Sequence, residues 1–188
     1  MKKILFSMTV IVLAGLSMVA CKQKTAENTQ PAENVEKAAA AVAIAPQDVQ
    51  ALVDAEDWDA IPQELLDKMG VKALKSFKEE AKDAQCDNQQ YYFGRGASVE
   101  LDKEGQLTKA TADDANAIII YLTAESVAYG SIAFANEADY NDFVKKTQEK
   151  KNAEEGLEFD AQGQEKEGEA TPGYEAGKWF FVNFTSDK

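Results

Sequence analysis

The apolar positions of residues 47–84 recur at helical spacing and predict three short helices. The second begins near Pro62, whose ring suits the first turn of a helix, and it stops at Gly70. In the third, Leu74, Phe77 and Ala81 would share one face. The predicted helices are Asp48–Asp57, Pro62–Gly70 and Val71–Ala84.

From Tyr91 onward the apolar pattern changes to the alternation of strands. The stretch Tyr91–Leu101 alternates, and Gly105 in "LDKEGQL" indicates a hairpin that returns through Gln106–Ala110. Because Ile118–Leu122 is apolar on both faces, we expect it to be a central strand. The alternating apolar side chains expected on one face of the first strand are Tyr91, Phe93, Ala97, Val99 and Leu101.

One further helix is predicted over about 136–151, with Asn136 as its N-cap. Three more strands are predicted at Val127–Ala135, Leu157–Asp160 and near the C-terminus, and residues 161–176 are predicted to form a flexible acidic loop. The fold class is therefore α+β. We expect three short N-terminal helices, then a mostly antiparallel sheet of five or six strands with the further helix packed on it.

The N-terminus has the layout of a secretory signal peptide. A basic Met1–Lys3 precedes the uncharged run Ile4–Ala20, which is a little short to span a membrane and ends in small residues. An uncleaved N-terminal anchor is the alternative.

The end of that run, Met18-Val19-Ala20-Cys21, resembles the lipobox of bacterial lipoproteins. The resemblance covers about the first 21 residues. It implies that signal peptidase II cleaves before Cys21 and that Cys21 carries the lipid and acyl (palmitate-type) groups that hold the protein in the membrane. By analogy with enterobacterial lipoproteins, Lys22 implies transfer to the outer membrane, facing the periplasm.

Composition separates the chain after the signal peptide into two parts. Residues 21–46 are rich in Ala, Glu, Gln, Asn and Thr and lack aromatic residues, so we expect a lipidated N-terminus with a disordered tether. Residues 47–188 are long enough for a single globular domain.

Charge and histidine content exclude several functions. Without residues 1–20 the chain carries 18 basic and 33 acidic side chains, a formal charge of −15, which repels nucleic acid. The chain has no histidine, which excludes Ser-His-Asp and Cys-His catalysis and the usual histidine-bearing metal sites. Carboxylate-pair hydrolysis and oxygen-only calcium sites are not excluded by this, but the sequence nominates no pair of acids, so we name no catalytic residue, no metal site and no cofactor.

A cysteine and an acidic stretch are interpreted as structural features, not as functional sites. With Cys21 acylated, Cys86 is the one remaining thiol, and Asp83 and Asp87 beside it oppose activation, so it is interpreted as a small half-buried side chain. The acidic stretch "DAEDWDAIPQEL" fails the EF-hand pattern and is interpreted as a junction between helices.

"YYFGRG" contains the only arginine, Arg95, and is the candidate ligand-binding motif with Tyr91 and Phe93. Strict alternation places Arg95 on the core face of the strand. Three arrangements remain open: a bulge at Gly94 or Gly96 that turns Arg95 to solvent, a buried carboxylate partner, or a pocket where Arg95 meets an anionic ligand.

The sequence thus predicts a lipid-anchored protein of the bacterial cell envelope with a non-catalytic α+β domain. Its partners would be the membrane, through the N-terminal lipid, and an unknown envelope protein or small ligand. The alternative is a histidine-independent envelope enzyme, most plausibly a carboxylate-dependent hydrolase, which needs two acids facing each other across a cleft.

Overall fold

The computed structural model describes residues 42–55, 57–79, 88–124, 128–149, 156–164 and 171–186, which belong to one compact unit. These residues contain helices α1 Pro46–Val53, α2 Gln63–Met69 and α3 Glu137–Glu149. Their strands are β1 Lys72–Glu79, β2 Asn88–Arg95, β3 Ala97–Leu101, β4 Leu107–Ala112, β5 Ile118–Ala124, β6 Ala128–Phe134, β7 Leu157–Gln164 and β8 Phe180–Ser186.

Six of the strands form one antiparallel sheet in the order β1-β2-β5-β6-β8-β7, and β3 and β4 form a separate hairpin. The predicted α+β class with a mostly antiparallel sheet is therefore confirmed. Strand β5 lies inside the sheet, as its run of isoleucines predicted. Ile118, Ile119 and Ile120 are each at most 1% exposed.

The three helices pack on one face of the sheet, which we call the helix face. Leu52 of α1, Met69 of α2 and Phe143 of α3 are buried there in one cluster with side chains of β2, β5, β6 and β8. Each fully buried side chain of this size contributes about 1.5–3 kcal/mol to folding. This cluster is what fixes the helices on the sheet.

The hairpin β3–β4 covers the opposite face, which we call the hairpin face. Its Val99 and Ala110 join a second buried cluster with Ile119, Phe181 and Trp179. The turn of the hairpin reaches strand β1.

The predicted hairpin turn is confirmed at Gly105, which has a φ of +80°. A Cβ at this position would collide with the Phe77 ring of β1, so the turn needs glycine for its conformation and for its packing. The predicted N-cap of α3 is also confirmed, because Asn136 Oδ1 accepts from the Ala138 backbone N–H at 2.8 Å.

The third predicted helix is wrong, because Lys72–Glu79 is the edge strand β1. A β-bulge inserts Leu74 between the residues that pair with Phe93 and Tyr92. The extra residue lets both Leu74 and Phe77 face the hairpin side, although they are three positions apart. That spacing imitates one face of a helix. Residues 80–84 of the predicted helix lie outside the described residues.

The predicted single strand Tyr91–Leu101 is also wrong, because it breaks at Gly96 into β2 and β3. Gly96 has a φ of +52°, and its carbonyl accepts from the backbone N–H groups of Asp113 and Asp114, at 2.7 and 3.2 Å. The bend carries Ala97 and Val99 to the hairpin-face cluster, away from Tyr91 and Phe93 on the helix face.

Two predicted boundaries shift. Ile44 is 3% exposed within the helix-face cluster, so the packed chain begins before Gln47. Strand β7 continues to Gln164, because its pairing with β8 extends into the predicted loop.

Candidate functional site

The three residues of the predicted ligand-binding motif share the helix face of β2, as strict alternation predicted. Tyr91 and Phe93 are 4% and 2% exposed within the helix-face cluster, and Arg95 is half-buried at the end of the strand. Their surroundings differ. Arg95 lies against the beginning of the described chain, whereas Tyr91 and Phe93 line a cleft at the other end of the strand.

Arg95 donates hydrogen bonds to backbone carbonyls from three separate segments. Its Nη1 donates to Val42 O and to Met69 O, the latter at 3.2 Å, and its Nε donates to Asn116 O at 3.4 Å. None of the ion pairs found among the described residues includes Arg95. This arrangement differs from all three that the sequence left open.

The surroundings of Arg95 explain how a half-buried guanidinium is tolerated. Burial lowers its pKa, and the charges of Asp139 and Asp114 oppose that shift. The Met69 carbonyl lies in the last turn of α2, where the helix dipole favours a cation. Arg95 thus joins the chain before α1, the end of α2 and the loop before β5.

The cleft lies between β1, β2 and the α1–α2 junction, and we call it the β1–β2 cleft. Its volume is about 390 Å³, which suits a small ligand. The bulge at Leu74 interrupts the regular pairing of β1 with β2 at this point. The residues that line it include Trp58, Asp59, Leu74, Lys75, Tyr91 and Phe93.

Aromatic rings form one wall of the β1–β2 cleft. Trp58 meets the Tyr91 ring edge-on with centroids 5.5 Å apart, and Tyr91 stacks parallel to Phe93 at 6.5 Å. The indole Nε1 of Trp58 is buried and has no hydrogen-bond acceptor among the described residues. An unpaired buried donor is costly to the fold.

Charged groups border the same cleft. Lys78 forms an ion pair with Asp59, and its Nζ lies 5.6 Å from the centre of the Tyr91 ring. Both members of the pair are nearly half exposed, which limits its contribution to stability. Lys75 makes no ion pair with the residues that the structure describes.

A second concave surface of about 400 Å³ lies over β4. The loop before β8 bounds it, held by a 2.7 Å hydrogen bond from Ala110 N to Gly173 O. Tyr174 packs edge-on against Trp179, with centroids 5.5 Å apart. Trp179 is 1% exposed, and its indole Nε1, like that of Trp58, is buried without an acceptor among the described residues.

Several predicted features lie elsewhere. Cys21 and Cys86 are outside the described residues. The acidic stretch at Asp54 joins α1 to α2, as predicted, and the described part of the chain contains no group of three or more metal-ligating side chains. Among the same residues no helix is long and apolar enough to cross a membrane.

The sequence analysis missed Trp58 and the β1–β2 cleft. The signal that could have revealed them is the segment Lys68–Lys78, which contains four lysines and no acid in a strongly acidic protein. The predicted helix Val71–Ala84 did not show that three of those lysines, Lys72, Lys75 and Lys78, lie on the edge strand β1.

Comparisons with known proteins add no relative. No protein-family model, curated protein or solved structure matches this chain.

Proposed function

We propose that this protein is a lipid-anchored, non-catalytic binding protein of the bacterial cell envelope, with the β1–β2 cleft as its ligand site. The observation that carries the binding role is the cleft itself, about 390 Å³ in volume and lined by Trp58, Tyr91 and Phe93. A concave site with an aromatic wall and a few polar groups is typical of small-molecule binding. Its volume favours a small ligand over the envelope protein that the sequence also left open.

The anchor is supported by the sequence alone. The lipobox-like residues before Cys21 favour lipidation at its thiol, and Lys22 favours the outer membrane with the domain facing the periplasm. Two or three acyl chains hold a protein stably, whereas one gives only marginal binding.

A cysteine substitution tests the anchor. Cys21→Ala should release the protein from the membrane fraction, and mass spectrometry should no longer find a lipidated N-terminus. Cys86→Ala is the matched control and should leave lipidation unchanged. An unmodified Cys21 in the mature wild-type protein would contradict the proposed anchor.

The ligand site is tested on protein purified from the cells that make it. Solvent extraction followed by mass spectrometry should identify a small molecule that accompanies the wild type and is depleted with Trp58→Ala. Tyr129→Ala, which removes an exposed aromatic ring from β6, is the control and should retain the molecule. Equal recovery from all three proteins, or no small molecule from the wild type, would contradict the proposed site.

The alternative hydrolase requires two carboxylates that face each other across a cleft. Asp59 is the single acid that lines the β1–β2 cleft, and Glu175 is the single acid that lines the surface over β4, among the described residues. Neither surface therefore favours the enzyme.

A further inference from the structure

Strand β1 is an edge of the six-stranded sheet, because β2 is its one neighbour in the strand order. Six of its eight residues are exposed, and no strand among the described residues pairs with its outer side. An edge strand directs alternate backbone N–H and C=O groups away from its neighbour. The β1 edge therefore presents a row of backbone donors and acceptors with which a further strand can pair.

The regular part of the β1 edge is long enough to hold an added strand. After the bulge at Leu74, the pairing of Lys75–Glu79 with β2 continues without interruption. These five residues span about 17 Å, which is the usual length of a strand in a sheet. Because a bulge disturbs an edge, Leu74 marks one end of this docking stretch.

The charge of the β1 edge is opposite in sign to that of the whole protein. The segment Lys68–Lys78 carries four lysines and no acid, whereas the chain has a formal net charge of −13. Lys72 and Lys75 are exposed and belong to none of the ion pairs found among the described residues. Both lie on the hairpin side of β1, since they pair with Gly94 and Tyr92. An acidic side chain on that side of an added strand would therefore meet two ammonium groups.

Lysines on an edge select among strands that approach it. They repel the same edge of a second copy, which is one way in which soluble proteins prevent association between edges. Opposite charges that face each other across two strands attract. Asp59 beside β1 is already paired with Lys78, and Glu79 is the last residue of the strand. More distant acids of the protein are screened beyond about 8 Å at physiological ionic strength, so the lysines of β1 decide which charge is favoured.

We propose that the β1 edge binds an extended acidic segment of a partner protein as a seventh strand of the sheet. Backbone hydrogen bonds hold the segment, while Lys72 and Lys75 select its acidic side chains. The proposal goes beyond the small-ligand site of the β1–β2 cleft and does not depend on it.

Two peptides of equal length test the charge preference on the full-length protein. Fluorescence anisotropy at about 0.15 M salt should show that an alternating glutamate–threonine peptide binds about tenfold more tightly than the same peptide with lysine in place of glutamate. Threonine favours the extended conformation in both peptides. Equal affinities, or no binding of the acidic peptide at millimolar concentration, would overturn the proposal.

Hydrogen exchange distinguishes strand addition from attraction by charge alone. The bound acidic peptide should slow the exchange of the outward-facing amides of β1, because these amides gain hydrogen-bond acceptors. The amides of β7, which lies at the opposite edge of the sheet, are the internal control and should exchange as before. Binding that leaves β1 unprotected would overturn the proposal.

Substitutions locate the binding. The double variant Lys72→Gln/Lys75→Gln should weaken the acidic peptide about tenfold, because it removes two charges and keeps the backbone of β1. Lys145→Gln/Lys146→Gln removes the same charge from α3 and is the control, which should bind the peptide like the wild type. Equal affinity of all three proteins would overturn the proposed edge. The cleft is tested separately, by the co-purified small molecule and its dependence on Trp58.

Discussion

The two ends of the helix face of β2 have different surroundings and different uses. At one end, Arg95 directs its guanidinium to three backbone carbonyls of the same chain. At the other end, Trp58 packs against Tyr91 at the wall of an open cleft. One end uses its polar side chain to hold segments of the chain together, and the other leaves room for a ligand.

The difference teaches that sharing a face of a strand does not mean sharing a role. "YYFGRG" makes Arg95 the obvious candidate for an anionic ligand, because it is the only arginine. The chain before α1 occupies that guanidinium, whereas Lys75 is the one lysine that lines the cleft among the described residues. Substitutions at the Arg95 end should therefore change stability, and those at the cleft should change binding.

Removing the chain before α1 should have the largest effect. A protein that begins at Gln47 loses buried Ile44 and the Val42 carbonyl that accepts from Arg95, and we expect its free energy of unfolding to fall by about 4 kcal/mol. Urea denaturation measures this. A protein that begins at Val42 is the control and should be as stable as longer chains. Equal stability of the two truncated proteins would show that residues 42–46 contribute nothing.

Arg95→Ala should lower the free energy of unfolding by about 2–3 kcal/mol, because it leaves the Met69, Asn116 and Val42 carbonyls without their donor. Arg95→Lys should recover part of the loss, since an ammonium cannot reproduce the planar fork. Both variants should retain the molecule that co-purifies with the wild type. Loss of that molecule with intact stability would reverse the roles assigned to the two ends.

Gly96→Ala should cost about 1–2 kcal/mol, since φ is +52° and the new Cβ would collide with the Asp114 carboxylate. Gly177→Ala separates the cost of the positive φ from the cost of the collision, because Gly177 has a φ of +74° and open space around it. Thermal or urea unfolding should rank Gly96→Ala as the more costly change. If both variants lose the same stability, the Asp114 contact carries no cost.

Lys78→Gln should have the smallest effect on stability, below about 0.5 kcal/mol, because its ion pair with Asp59 is nearly half exposed. It should nevertheless change the recovery of the co-purified molecule, since it leaves the Asp59 charge uncompensated at the cleft. Lys146→Gln breaks the Lys146–Asp142 pair of α3 and is the matched control. Equal recovery of the molecule from wild type and Lys78→Gln would remove Lys78 from the electrostatics of the cleft.

Much of the fold could be predicted because its signals are local. The isoleucine run of β5, the Asn136 cap of α3 and the Gly105 turn each lie within a few residues and were found in place. The third helix was wrong because the Leu74 bulge gives a strand an apolar spacing of three, and only pairing with β2 distinguishes the two structures.

The candidate site could be predicted only in part. Tyr91 and Phe93 were named from their strand, and they do line the β1–β2 cleft. Trp58 was not named, because it approaches Tyr91 from a junction more than thirty positions earlier in the chain. The residue pattern within each segment therefore does not predict the contact.

By itself, the sequence determined the α+β class, the alternation that placed Tyr91, Phe93 and Arg95 on one face, and the lack of histidine chemistry. Tertiary structure decided that Arg95 binds the chain's own carbonyls and that Trp58 and Lys75 border a cleft. Periodicity and composition are properties of neighbouring residues. Whether a polar group is satisfied depends on groups brought to it from distant segments, and only the folded chain specifies those.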